Sequence, residues 1–138
     1  MNVYYANDND FINTDIYRRF IDNNPAKGNL RIRAYAASEA VPIEDVNVIV
    51  STLFENAKII FYEGKTNKSG IIERISLPAP RLKDDNLVVP EKTEYEIEVL
   101  YKPDGIKSLY KVNLYEDVCV MQDINIVPEI KVGGFNGN

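Results

Sequence analysis

From Gly28 to Pro80, turn-forming residues divide the chain into short runs whose apolar side chains recur at every second position. A chain punctuated in this way has one economical means of burying them, a pair of stacked β-sheets. Leu30, Ile32 and Ala34 alternate with Arg31, Arg33 and Tyr35, giving a strand over Leu30–Ala36 with one wet face. Val46, Val48 and Val50 alternate with Asn47, Ile49 and Ser51, so the strand Val46–Leu53 is expected to be covered on both faces. In Lys58–Glu63, Ile59 and Phe61 face one way and Ile60 and Tyr62 the other. Thr66-Asn67-Lys68-Ser69-Gly70 is a turn, with Gly70 suited to a positive φ. The strand Ile71–Leu77 follows, and Pro78 and Pro80 are expected to stop it.

The second half repeats the pattern. Tyr95, Ile97, Val99 and Tyr101 alternate with Glu94, Glu96, Glu98 and Leu100. Pro103-Asp104-Gly105 marks a turn. Ile106–Tyr115 and Val118–Val127 supply two more strands, joined at Glu116-Asp117. Residues 81–93 form a long charged loop, of a length often tied to function. The whole reads as an all-β chain, a seven-stranded antiparallel Greek-key β-sandwich with a short N-terminal helix and an extended C-terminal tail. Ile32, Val48, Phe61, Ile75, Ile97, Val99, Val112 and Ile124 are the expected core, and Cys119 is expected to join it.

The ends are read separately. Residues 1–27 form an N-terminal arm, 28–128 the sandwich domain, and 129–138 a flexible or partner-bound tail. Within the arm, 14–22 is helical: Asn13 or Thr14 caps it, and Asn23-Asn24-Pro25 ends it. Ile12, Ile16, Tyr17, Phe20 and Ile21 make one apolar stripe, which packs either on the sandwich or on another subunit. Asn7–Asp10 has the carboxylates of a calcium loop but lacks its glycine and distal glutamate, so a turn or capping role is expected. Candidate partner-binding residues are Tyr4, Tyr5, Ile16, Tyr17, Phe20 and Ile21 in the arm, with Ile130, Val132 and Phe135 in the tail.

Chemistry-bearing signals are sparse. The chain has no histidine, the commonest general base and zinc ligand, and a single cysteine, which permits no internal disulfide. Its net charge is −5 with no cluster of lysines or arginines, which argues against a nucleic-acid footprint. No run approaches the roughly 18 apolar residues of a membrane span. The polar start lacks the features of a secretory signal, so synthesis in the cytoplasm is expected, with release by lysis as part of a particle left open. Glu44-Asp45, Asp84-Asp85 and Glu116-Asp117 are carboxylate pairs at expected turns, and no glycine pattern matches a phosphate loop. No metal, cofactor or catalytic residue is expected.

Gly28-Asn29-Leu30, Pro42-Ile43 with Val46-Asn47-Val48, Thr66-Asn67-Lys68-Ser69-Gly70, Leu77-Pro78-Ala79-Pro80, Gln122-Asp123-Ile124 and Pro128 together resemble a known pattern. It is similar to the carboxypeptidase-regulatory-like, or transthyretin-like, β-sandwich domains, in the versions found in clostridial cell-wall and spore-cortex lytic proteins. The resemblance covers residues 28–128 and implies a non-catalytic domain serving adhesion, folding or attachment. A domain of this type with arms looks like a structural adaptor of a multi-subunit assembly, a phage-tail or tailocin baseplate component whose partners are neighbouring protein subunits. The alternative is a carbohydrate- or peptidoglycan-binding module, with Tyr95, Tyr101 or Tyr110 as an aromatic platform.

Overall fold

The computed structural model describes residues 1–37, 40–82 and 91–127. In chain order its elements are β1 (Asn2–Tyr5), α1 (Asn9–Ile12), α2 (Asp15–Asn23), β2 (Ala26–Ala36), β3 (Val41–Pro42), β4 (Asn47–Phe54), β5 (Ala57–Lys65), β6 (Ile71–Ala79), β7 (Thr93–Tyr101), β8 (Ile106–Leu114) and β9 (Cys119–Asn125). One sheet runs β1-β5-β4-β7-β8. In the other, β2 is central, with β6 and the short β3 paired to it and β9 paired to it as well.

The all-β sandwich expected from the alternation is what forms, with two departures among the described residues. There are nine strands rather than seven. Two of the pairings, β1 with β5 and β2 with β9, are parallel. The second has a topological cause: β8 lies in the five-stranded sheet and β9 in the other, so the intervening segment crosses between sheets and sets β9 down alongside β2. Asp117, at φ 61, takes the left-handed conformation in that crossing. Pro78 does not end β6; it pairs with Lys27 inside the strand. β6 lies on the side of the sheet away from β9, and an edge strand accommodates a residue without an N–H.

The inward positions of both sheets make one core. Leu30, Ile32, Val48, Ile75, Ile97, Val99, Val112 and Ile124 are buried in it, while Phe61 is half-buried against it. Strict alternation fails at two bulges. Leu30 faces Ile75 but Ile32 faces Ile72, so Glu73 and Arg74 together oppose Arg31 and point out. Val50 faces Tyr62 but Ser51 faces Ile60, which makes Phe61 the extra residue of β5. Its ring turns in against Phe20 and Tyr95, at centroid distances of 5.6 and 5.7 Å.

Residues 1–27 are built into this sandwich rather than hanging from it. Thr14 caps α2, its hydroxyl oxygen accepting the Tyr17 N–H at 3.3 Å. Asp8 accepts from the Asp10 N–H and caps α1, so the Asn7–Asp10 acids shape a turn. Phe20 is 1% exposed and meets Phe54 edge-on at 5.3 Å. Phe11 is buried, stacked on Tyr4 at 4.5 Å. Ile16, Tyr17, Phe20 and Ile21 of the helix stripe therefore pack on their own sandwich, while Ile12, at the end of α1, is exposed, and Arg19 ties the outer side of α2 to Glu55 through bonds of 2.6, 2.9 and 3.2 Å. Those bonds hold the Glu55 carboxyl below its ordinary range. Residues 128–138, with Ile130, Val132 and Phe135, lie outside the described residues.

Two predictions follow from this packing. Phe20→Ala should cost about 3–5 kcal/mol, as buried phenylalanines do, and removal of residues 1–24 should cost more, measured by urea denaturation. A truncated chain with an unchanged midpoint contradicts the integrated core. The second concerns Tyr95, whose ring is fully buried and whose hydroxyl donates to the Pro78 carbonyl at 2.6 Å. Burial pushes its phenol far above the ordinary value. Its contribution is thus complete below the unfolded-state value of about 10 and is lost as pH rises beyond it, because only the unfolded chain then ionises, at about 1.4 kcal/mol per pH unit. Tyr95→Phe should remove that component of the alkaline slope.

Candidate functional site

The alternation that fills the core also composes the opposite face of the five-stranded sheet. Along β4, Val48, Val50 and Thr52 are buried inward, which sets Asn47, Ile49, Ser51 and Leu53 outward. Along β7, Tyr95, Ile97 and Val99 point in and Glu94, Glu96 and Glu98 point out. The register brings these outward rows together. Ser51 lies opposite Glu96, Ile49 opposite Glu98, and Leu53 opposite Lys58 of β5. Across β7, Glu96 faces Lys111, Glu98 faces Leu109 and Leu100 faces Lys107 of β8.

The result is a trough of about 940 Å³ lined by Ile49, Lys58, Glu96, Glu98, Lys107 and Leu109, among others. Its charges are ordered. Lys58 Nζ sits 2.6 Å from Glu98 Oε2, an ion pair spanning from β5 to β7 over the intervening β4. Lys111 and Glu94 approach to 4.0 Å. Among the described residues, no ion pair engages Glu96 or Lys107. Ser51 is 1% exposed, and its hydroxyl has no hydrogen-bond partner among the described residues.

Two other polar constellations are already committed to holding the fold. A cleft of about 990 Å³ lies between α2, the end of β4 and the start of β7, with Asn24, Thr52, Arg81 and Thr93 on its walls. There Asn24 Nδ2 donates to the Phe20 carbonyl at 2.9 Å, the Thr93 hydroxyl donates to Asn24 Oδ1, and the Thr52 hydroxyl donates to the Glu94 carbonyl at 2.8 Å. Asn24 and Thr93 join helix to sheet and Thr52 joins β4 to β7, so these groups have little capacity left for a ligand. On the outer face of the four-stranded sheet, Arg33 grips Asp123 with two bonds of 3.0 Å and lies 5.1 Å from the Tyr35 ring centroid. Arg31 pairs with Glu73 at 3.4 Å, although its Nε is buried without a partner.

The residues singled out from sequence fall elsewhere. Tyr4, Ile16, Tyr17 and Ile21 are half-buried against the core, Phe20 is inside it, and Tyr5 is exposed beside β5. Tyr95 is enclosed and supplies no platform, while Tyr101 and Tyr110 are half-buried. Asp45 and Asp117, each second in its carboxylate pair, adopt positive φ in their turns. Asp84-Asp85 lie outside the described residues. Cys119 is exposed rather than core: β9 directs Ile124 inward and turns Cys119 and Met121 to solvent. None of the sequence candidates lies in the trough. Its signal was present, however, in the outward Glu94, Glu96 and Glu98 and in the outward Lys58.

No family model matches the chain, and no curated protein does. Solved structures do resemble it. The 5-hydroxyisourate hydrolase of Klebsiella pneumoniae superposes with a TM-score of 0.50 at 15% identity, covering 74% of this chain and 91% of that one. An (S)-allantoin synthase superposes with a TM-score of 0.44 at 13% identity, covering 79% of this chain and 45% of that one. The chain has a transthyretin-like β-sandwich fold. The first of these structures is an enzyme. That finding overturns the expectation of a non-catalytic protein, whether a phage-tail or tailocin baseplate adaptor or a glycan-binding accessory module. The step that failed was from fold to role, because one sandwich carries both binding and catalysis.

Among the described residues, no group of three or more His, Cys, Asp or Glu side chains is placed to hold a metal, and no helix is long and apolar enough to cross a membrane. The position of Cys119 gives a direct check on the fold. Its thiol should react with Ellman's reagent in the native protein at a rate within a few-fold of that in denaturant; a thiol that reacts only on unfolding contradicts the outward register of β9.

Proposed function

We propose that this chain binds a small polar molecule in the trough on the outer face of the five-stranded sheet. The observation that carries the proposal is the ordered charge there: Glu96 and Lys107, neither in an ion pair among the described residues, line the same depression beside the apolar Ile49 and Leu109. A concave site with an apolar floor and a few placed polar groups is the common form of a small-molecule site. The ligand this favours carries both an acceptor for lysine and an N–H or O–H donor for glutamate.

Hydrolysis is the reaction such a set suits. Glu96, as general base, takes a proton from a water whose oxygen adds to a carbonyl carbon of the ligand. The developing oxyanion faces the lysine ammonium groups, and its collapse breaks the C–N or C–O bond as the leaving group takes the proton back from Glu96. The resemblance to a 5-hydroxyisourate hydrolase supports trying a cyclic amide of that kind among the substrates. The carboxypeptidase-regulatory-like kinship, with its clostridial versions, also belongs to this reading. It is supported by the Thr66–Gly70 turn, in which Thr66 Oγ accepts the Val46 N–H at 3.0 Å and Gly70 takes φ 76.

The test is a thermal-shift screen of small polar molecules, since a ligand of the native state raises the melting temperature by mass action. At least one should bind, with affinity falling roughly tenfold or more in Glu96→Gln and in Lys107→Met. Turnover, where found, should fall about 100-fold or more in Glu96→Gln. The reading fails if nothing on the panel binds, or if both variants bind as the parent does.

A further inference from the structure

The burial of Ser51 is unusual for its place. It occupies an outward position on β4, between the half-buried Ile49 and the exposed Leu53, yet it is 1% exposed. The register explains why. Lys58 stands opposite Leu53, two residues one way along β4, and Glu98 stands opposite Ile49, two residues the other way. The ion pair joining them at 2.6 Å must cross β4 diagonally, and the diagonal passes over Ser51. A serine is small enough to lie beneath it. What lies beneath is nevertheless a hydroxyl with no hydrogen-bond partner, where an alanine would fill the space at no polar cost.

A buried polar group without a partner calls for an explanation, and a ligand is one. We infer that Lys58, which lines the trough, and Ser51, which lies beneath the Lys58–Glu98 pair and joins the lining only when that pair opens, form the anion end of the trough, and that the ligand is a small carboxylate with an N–H donor close by, as in an amino acid or its N-acyl derivative. This rests on the trough being the binding site. Glu98 occupies Lys58 in the free protein and acts as a stand-in for the ligand's own carboxylate. When the ligand arrives, its carboxylate replaces that of Glu98 on the Lys58 ammonium, and the strap over Ser51 swings aside. The hydroxyl then donates to the second carboxylate oxygen. Glu96, opposite Ser51 on β7, receives the ligand's N–H. The exchange keeps one carboxylate on Lys58 and adds the ligand's negative charge, which is tolerable because the displaced Glu98, its side chain 40% exposed, turns into solvent where its charge is screened. The two glutamates disfavour a ligand that is anionic throughout, so the adjoining donor is part of the requirement.

The experiment titrates N-acetylglycine into the full chain, with N-acetylglycinamide as the uncharged control, following the Lys58 side-chain signals by NMR. N-acetylglycine should bind, and the amide should bind at least tenfold more weakly. Ser51→Ala should lower affinity for the acid roughly tenfold without lowering the melting temperature, because it deletes a hydroxyl that bonds to nothing in the free protein. Glu98→Gln should tighten the acid, since the internal competitor is gone, and Lys58→Met should abolish its preference over the amide. The inference is overturned if acid and amide bind alike, if Ser51→Ala leaves affinity unchanged, or if N-acetylglycine does not bind. A trough ligand that answers to Lys107→Met but not to Ser51→Ala overturns this assignment alone, while the broader reading falls only if the whole panel fails.

Discussion

The aromatic contacts around Phe20 seat the N-terminal helix on the five-stranded sheet. Its ring meets Phe54 at the end of β4 and Phe61 at the bulge of β5, and Phe61 in turn meets Tyr95 on β7. Three strands of one sheet are thereby fixed to a helix that precedes them all. Such edge-to-face and tilted ring pairs each add about 0.5–1.5 kcal/mol beyond simple area burial. The bulge in β5 becomes intelligible in this light, since the extra residue carries a ring into the space beneath α2. The buried Asn24 amide completes the junction by serving both the helix end and the start of β7.

Much of this was legible in the chain because a period of two is a strong signal. The runs at Leu30, Val46, Tyr95 and Ile106 alternate cleanly and each is a strand, although β2 begins at Ala26, well before the expected Leu30. The signal weakened wherever one residue was added. Ile72 and Ile75 are both buried though three apart, which alternation alone assigns to opposite faces. The expectation that Pro78 stops its strand fails because the edge position of β6 is a property of the sheet, invisible in the strand. The stripe on α2 was legible as apolar, but its partner was not, because Phe54 and Phe61 lie far along the chain. β1 carries no signal of its own: four residues with no clear alternation become a strand only when β5 offers an edge.

The trough shows a different limit. Sequence reasoning looks for chemistry in rare residue types and compact motifs, and this chain has neither. Glu94, Glu96 and Glu98 are what any wet strand face carries. Their meaning depends on Lys58 and Lys107, which reach the same surface from two other strands. Pairings across three strands are set by register, and register is decided by bulges and turns rather than by the charged residues themselves. A site written on a sheet surface in this way leaves no linear motif.

The central place of β2 has a consequence for how the protein is made. One side of that strand is completed by β6, within the first eighty residues. The other is completed by β9, and the Arg33–Asp123 clasp that seals it joins residues 90 apart in sequence. At ordinary rates of synthesis of about 5–20 residues per second, roughly 5–20 s pass between the emergence of the two. Throughout that interval the middle of a hydrophobic sheet presents a bare edge to its surroundings in the cell. Arg31 and Arg33, set along that strand with their like charges outward, are suited to keep one unfinished copy from pairing with another until the last strand arrives.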